Sequence, residues 1–105
     1  MNRGMAELAK AFAALGSAER VEILTYLLAQ NGPPCGRIAK ALGMSTSAFS
    51  YHLRILEEAG LVERSRAGRL HCLSVTPALQ ALLSPRIRDE LTKEGRKWMS
   101  NSSAK

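Results

Sequence analysis

The side chains best suited to recognise a ligand lie between Gly43 and Gly60. Hydroxyl, aromatic and basic groups are concentrated there, at Thr46, Ser47, Ser50, Tyr51 and Arg54. They share a predicted helix with an apolar stripe of helical period, formed by Phe49, Leu53 and Leu56. Such a helix can enter the major groove of DNA, where base edges offer donors and acceptors. The alternative is an ordinary amphipathic helix of a small bundle.

A basic group of side chains follows this helix, at Arg64, Arg66 and Arg69. The segments 61–66 and 69–75 flank Ala67-Gly68, where glycine favours a tight turn, and this pattern predicts a β-hairpin. A cationic hairpin next to such a helix can lie along the phosphate backbone or enter the minor groove. The alternative is a solvated arginine-rich loop.

Catalytic and metal-binding chemistry have little support in the sequence. A zinc or soft-metal site needs three or four converging sulfur or imidazole ligands, and the chain offers only Cys35, Cys72, His52 and His71. His71 and Cys72 are neighbours on a predicted strand and therefore point to opposite faces. The sequence contains no Gly-x-Ser-x-Gly elbow, phosphate loop or paired carboxylates in an apolar setting. We expect no enzyme activity, no bound metal and no cofactor.

Several helices are expected to position these residues. A first helix over residues 5–15 carries a stripe of Met5, Leu8, Phe12 and Leu15 and must pack on something, with a second copy of the chain as one candidate. A second helix over 18–30 ends at Asn31-Gly32-Pro33-Pro34. A third, over 35–42, turns at Gly43 into the hydroxyl-rich helix, which Ser45 can cap. This pair has the helix-turn-helix pattern.

The C-terminal segment begins where Thr76-Pro77 can start a helix. Ser84-Pro85 interrupts the pattern, and the sequence leaves open whether this is a kink or a break between two helices. Ile87, Leu91 and Trp98 follow on one apolar side. Because this tail has no evident partner within the chain, it is a candidate dimer surface together with the first helix.

Composition and charge restrict the class of partner. The chain has 105 residues, consistent with one domain, and 46% of them are hydrophobic. Its net charge of +6 and isoelectric point near 9.9 indicate an anionic partner, for which nucleic acid fits better than a membrane. No apolar run approaches the roughly 20 residues that span a bilayer. We expect a cytoplasmic protein whose two cysteines are reduced thiols.

The sequence resembles the ArsR/SmtB family of bacterial winged-helix repressors. The resemblance rests on LGSAERVEILTYLL and on IAKALGMSTSAFSYHLRILEEAGLVERSRAGRLHCLSV, which cover most of the chain. It implies a mainly α fold with a small β-hairpin, in the order α-α-α-α-β-β-α, as a single domain over 1–105. The recognition helix would span about 45–59, the wing about 61–75 and a C-terminal dimerisation helix about 77–99. Members act as homodimers paired through their first and last helices.

The resemblance also implies the functional residues. Those expected at or near base edges are Ser45, Thr46, Ser47, Ser50, Tyr51 and His52. Arg54 would face a phosphate, and Arg64, Arg66 and Arg69 would supply the wing. The protein would then be a transcriptional repressor that binds a palindromic operator in double-stranded DNA and leaves it when an effector, not identifiable from the residues, binds.

Departures from the family pattern keep other functions open. Metal-sensing members often carry Cys-x-Cys where this chain has Pro34-Cys35-Gly36, and no histidine or cysteine follows Pro77, so a conventional metal sensor is not expected. Some members join two thiols in response to sulfide or oxidants. Cys35, at a helix start where the dipole lowers a thiol pKa, and Cys72 form a candidate redox pair. A further alternative is a winged-helix interaction module that does not bind DNA, against which the arginine wing argues.

Overall fold

The computed structural model describes residues 3–30, 32–68 and 70–103. These ranges contain six helices and one antiparallel hairpin. In chain order the elements are α1 (Arg3–Leu15), α2 (Ala18–Ala29), α3 (Cys35–Ala41), α4 (Thr46–Glu58), β1 (Val62–Ala67), β2 (Leu70–Val75), α5 (Pro77–Leu82) and α6 (Pro85–Ser103). The mainly helical fold with a small hairpin confirms the predicted fold class. None of the described helices combines the length and apolar character needed to cross a bilayer.

Helix α2 lies at the centre of the molecule. Five consecutive residues, from Ile23 to Leu27, are buried, which is more than one helical turn and means that neighbours surround the helix on all sides. Those neighbours are α1, α4, α6 and β2. The one buried polar side chain among the described residues, Thr25, donates its hydroxyl to the Glu22 carbonyl at 2.7 Å, so its burial leaves no unsatisfied donor.

The helix-turn-helix consists of α3 and α4. Gly43 adopts a positive φ of 68° in the turn, and the Met44 amide donates to the Ala39 carbonyl at 2.9 Å. The apolar stripe of α4, Phe49, Leu53 and Leu56, is buried in the core. Burial of this stripe fixes which face of α4 remains outside, because residues three and four apart share a helix face.

The hairpin begins directly after α4. Its register runs from Val62 opposite Val75 to Ala67 opposite Leu70, and Gly68 at the tip has a φ of 66°. The other edge of β2 meets the chain before α3 through an isolated bridge between Pro34 and Cys72. The Leu73 amide donates to the Pro33 carbonyl there at 3.2 Å. The base of the hairpin is therefore attached to the helix-turn-helix on two sides.

The C-terminal segment forms two helices rather than one continuous helix over 77–99. Thr76 caps α5 by accepting from the Leu79 amide at 3.2 Å. Leu83 is extended (φ −93°, ψ 130°), so the helical conformation ends before Pro85 and α6 begins as a separate helix. Because Pro85 lacks an amide hydrogen, it suits the first position of a new helix better than the interior of a continuing one.

Helix α6 packs against α2, which corrects the expectation that the tail has no partner within the chain. Gly95 lies at this contact and is buried, although it is inside a long helix. A Cβ atom there would collide with the Thr25 carbonyl and would lie 2.9 Å from Ala29 Cβ. Glycine in a helix interior costs about 1 kcal/mol relative to alanine. Here its small size permits the two helices to approach closely.

Helix α1 contacts the core through its small residues rather than its large ones. Ala11 and Ala14 are buried, whereas Met5, Leu8 and Phe12 are 54%, 43% and 62% exposed. Most of the apolar stripe predicted for this helix therefore lies on the surface of the protomer. We name these three side chains the α1 apolar face.

Candidate nucleic-acid interface

The outer surface of α4 carries the polar residues singled out in the sequence. Thr46, Ser47, Ser50, Tyr51 and Arg54 are all exposed and lie opposite the buried stripe. Ser45 precedes them, and its hydroxyl accepts from the Ala48 amide at 3.1 Å. The Ser45 hydroxyl oxygen thus caps the helix. Its main role within the protein is to fix the start of α4, and the other polar side chains form the outer surface.

His52, also predicted at the base edges, lies on the side of α4 that contacts Arg20 of α2. Its Nδ1 is 3.1 Å from Nη1 of Arg20, and the residue is half-buried. A guanidinium can only donate, so Nδ1 is the acceptor in this contact. The Tyr51 ring contacts the imidazole edge to face, with centroids 5.2 Å apart. His52 therefore packs the recognition helix against its neighbours.

Arg20 connects three helices and was not anticipated from the sequence. In addition to its contact with His52, its Nε donates to the Ala14 carbonyl at 2.6 Å, and Nη2 lies 3.5 Å from the Ala13 carbonyl. These carbonyls end α1 and have no partner within that helix. The Arg20 guanidinium thus caps α1 from α2 while holding α4. No local sequence signal identifies a pair separated by 32 positions.

The arginines of the hairpin differ in their surroundings. Arg64 forms an ion pair with Glu57 of α4, with 2.9 Å between Nη2 and Oε1. Both side chains are partly exposed, so the pair contributes at most about 1 kcal/mol, but it ties the hairpin to the recognition helix. Arg66 is exposed on the same strand face as Arg64, two positions nearer the tip. Arg69 lies outside the described residues.

The two cysteines lie in different elements, Cys35 at the start of α3 and Cys72 in β2. Both are free and half-buried, and the Pro34–Cys72 bridge brings their segments together. Burial raises the pKa of the Cys35 thiol, and the nearby Arg64 charge opposes this effect only in part. The expectation that the helix start lowers this pKa is therefore wrong, because desolvation of the half-buried thiolate is the largest effect. Cys35 is predominantly a protonated thiol near neutral pH.

Metal ligands do not converge in the part of the chain that the structure describes. No group of three or more histidine, cysteine, aspartate or glutamate side chains there could hold a metal ion. His71 and Cys35 line the same cleft beside α4, whereas Cys72 is not among the described residues that line it. The ligands available at this cleft are thus one imidazole and one protonated thiol, fewer than a zinc site requires.

Comparison with known proteins places this geometry in a family. A helix-turn-helix domain family matches residues 15–65. The transcriptional regulator NmtR of Mycobacterium tuberculosis is 44% identical over 69 residues, which is 65% of this chain and 56% of that protein. The matched segment therefore spans just over half of the length of this relative.

Two solved structures share the fold. A homodimeric winged helix-turn-helix DNA-binding domain from Mycobacterium bovis, studied by NMR in solution, has a TM-score of 0.67 and 31% identity over 78% of this chain and 79% of its own. An ArsR-like transcriptional regulator from Rhodococcus sp. RHA1 has a TM-score of 0.67 and 32% identity, covering 96% of this chain and 91% of that one. With this identity across nearly the whole of both chains, and with a hairpin following the helix-turn-helix, the protein belongs to the ArsR family of winged helix-turn-helix transcriptional regulators.

Proposed function

We propose that the protein is a transcriptional repressor that binds a palindromic operator as a homodimer. The observation that carries this proposal is the division of α4, whose apolar stripe is buried while its hydroxyl and aromatic side chains lie exposed beside a basic hairpin. In a two-fold dimer of this kind, two recognition helices would enter successive major grooves, about 34–36 Å apart. The activity would be exercised in the cytoplasm by a single domain over 1–105.

The residues fall into two groups in this proposal. Those that touch DNA would be Thr46, Ser47, Ser50 and Tyr51 at the base edges, with Arg54, Arg66 and Arg69 at phosphates. Ser45, His52 and Arg64 would position them, because each is engaged within the protein by the Ala48 amide, Arg20 and Glu57 respectively. Exposed hydroxyls can bond to bases or phosphates, so the base-edge group is the part of the proposal that a complex must test.

The second copy of the chain would cover the α1 apolar face. Large apolar side chains grouped on an exposed helix face are typical of interaction sites in soluble proteins. Ile87 of α6 is also exposed, at 51%, and would extend the surface to the C-terminal helix. The homodimeric state of the Mycobacterium bovis relative supports a second copy rather than another occupant. The dimer would thus use the first and last helices, while α6 also packs within its own protomer.

The direct test is a fluorescence-anisotropy titration with a duplex from upstream of the protein's own gene, against a scrambled duplex, at two salt concentrations. We expect sequence-dependent binding that weakens steeply with salt, because phosphate contacts release counterions. Tyr51→Ala should relax discrimination between the duplexes, while Arg66→Ala should weaken both and reduce the salt slope by about 1. Equal weak binding to both duplexes would contradict the repressor and favour the interaction module.

A thiol-gated repressor is a second candidate, favoured by the bridge between Pro34 and Cys72. This contact places the two cysteine-bearing segments side by side next to the recognition helix. The raised pKa of Cys35 argues for slow reaction, since the thiolate is the reactive form. A thiol titration after peroxide or polysulfide, paired with the DNA assay, tests it. Two unchanged free thiols with unchanged DNA affinity would contradict this candidate.

A further inference from the structure

A cleft opens between the helix-turn-helix and the hairpin, and we name it the wing cleft. Its volume is about 440 Å³, within the range of about 300–1,000 Å³ typical of small-molecule sites. We use the word floor for its apolar lining residues, which are Cys35, Ala39, Met44, Phe49 and Leu53. Three different elements, α3, α4 and the hairpin, thus contribute to one concave surface.

The rim of the wing cleft is cationic. We use the word rim for its basic lining residues, which are Lys40 of α3, Arg64 of β1 and His71 of β2. No aspartate or glutamate is among the described residues that line it. Glu57, which pairs with Arg64, belongs to α4 and is not one of the lining residues. The rim keeps a net positive charge with the Arg64–Glu57 pair included, because Lys40 has no acidic neighbour among the described lining residues. An apolar floor with such a rim complements a molecule with one anionic end and a hydrocarbon body.

The thiol in the floor supports a non-covalent occupant. Burial raises the pKa of the half-buried Cys35 thiol, so the side chain reacts slowly and packs mainly as a small apolar group. A free phosphate would satisfy the rim but leave the floor uncovered. A monocarboxylate with an aliphatic or aromatic body would cover both, since apolar contact and charge pairing then act on the same molecule.

We propose that the wing cleft binds a small amphipathic monocarboxylate and that this ligand excludes DNA. The cleft is lined by Thr46 and Ser50, which the proposed function places at the operator, and by Arg64, which holds the hairpin to α4. A carboxylate held by Lys40 and Arg64 would place a negative charge and a hydrocarbon body beside Thr46 and Ser50, where the operator would lie. The exclusion of DNA rests on the proposed function, whereas binding of the carboxylate does not.

The binding step can be measured without DNA, because Cys35 lies in the cleft and Cys72 serves as an internal control. The protein is alkylated with iodoacetamide in the presence of octanoate, and the rate at each cysteine is followed by peptide mass spectrometry. For a dissociation constant of about 1 mM, expected for a ligand of this size, about 10 mM octanoate should slow Cys35 alkylation about tenfold. The Cys72 rate should not change.

Matched compounds and variants identify the origin of the protection. Octanamide, which lacks the charge, and inorganic phosphate, which lacks the body, should each protect Cys35 far less than octanoate. Lys40→Met should weaken octanoate protection about tenfold, because one of two rim cations is lost. Lys93→Met removes an exposed lysine from α6 and should leave protection unchanged. Equal protection by octanamide and octanoate, or protection by phosphate alone, would overturn the proposal.

The DNA arm separates failure of the ligand site from failure of the proposed function. If the duplex binds, octanoate should release it from the unsubstituted protein and from Lys93→Met, and much less from Lys40→Met. Protection of Cys35 without any DNA binding would support the ligand site and contradict the proposed repressor function. DNA binding that octanoate cannot displace, despite protection of Cys35, would overturn the exclusion.

Discussion

Helices α1 and α4 carry apolar stripes of the same period but place them in opposite environments. In α4, Phe49 and Leu56 are 4% and 0% exposed, whereas Phe12 of α1 is 62% exposed. Hydrophobic periodicity therefore identifies an apolar face but not what covers it. The partners of α4 lie within the chain, while those of the α1 apolar face would belong to a second copy.

The largest effect is expected for the fully buried stripe. Leu56→Ala removes a side chain that is 0% exposed and should lower the free energy of unfolding by about 2–5 kcal/mol, from lost burial and the cavity left behind. Urea denaturation followed by circular dichroism measures this. The matched variant Leu8→Ala should cost less, and its cost should vary with protein concentration because it acts through the dimer. If the loss of stability in Leu8→Ala did not depend on protein concentration, the apolar stripe of α1 would act within the protomer, as that of α4 does.

Substitution of the exposed stripe should affect association rather than folding. Phe12→Ala should weaken the dimer by about 2 kcal/mol, or roughly thirtyfold in dissociation constant, because a large aromatic side chain at an interface is a typical hot spot. Sedimentation velocity over a concentration series gives this constant. Tyr51→Ala, which truncates an aromatic side chain that is also 62% exposed but lies on α4, is the control and should leave the dimer intact. Equal dissociation by both variants would place the dimer surface elsewhere.

The packing of α6 on α2 shows a third way to cover a helix, in which the absence of a side chain is required. Gly95→Ala should destabilise the protein by about 1–3 kcal/mol, because the new Cβ meets the Thr25 backbone. Gly36→Ala is the control, since a Cβ there has nothing within 4 Å and alanine favours the helix. Thermal unfolding of both variants measures the difference. A stability gain at Gly95 would show that α6 does not pack this closely.

The smallest effect is expected at the cap of α4. Ser45→Ala removes the acceptor for the Ala48 amide and should cost about 1 kcal/mol of stability. Ser45→Asp keeps an acceptor and should restore most of this loss, and urea midpoints of the three proteins provide the comparison. If Ser45→Ala changes DNA affinity without changing stability, Ser45 contacts DNA and does not act mainly as a cap.

The sequence predicted local features well and distant pairings poorly. Ser45, Gly43 and the stripe of α4 are local signals, since caps, turns and periodicity depend on residues a few positions apart. The pairs Arg20–His52 and Arg64–Glu57 depend on how helices meet, and charged or imidazole groups at large separation carry no periodic pattern. Gly95 illustrates the same limit. From the sequence alone, a glycine inside a predicted helix indicates only lower helix stability, and its packing role becomes evident once the neighbouring helix is known. The list of DNA-contacting residues stays a prediction.

The contacts of Arg20 have a thermodynamic consequence for the proposed dimer. One guanidinium holds the end of α1, which would carry the dimer surface, and the flank of α4, which would carry the DNA surface. A displacement of α1 on association would change the free energy of holding α4, and the two equilibria would then be coupled. Coupling free energies are reciprocal. If dimerisation raises the affinity for the operator by some factor, operator binding raises the affinity of the dimer by the same factor. Dimer strength measured without DNA therefore describes a different equilibrium from the one on the operator.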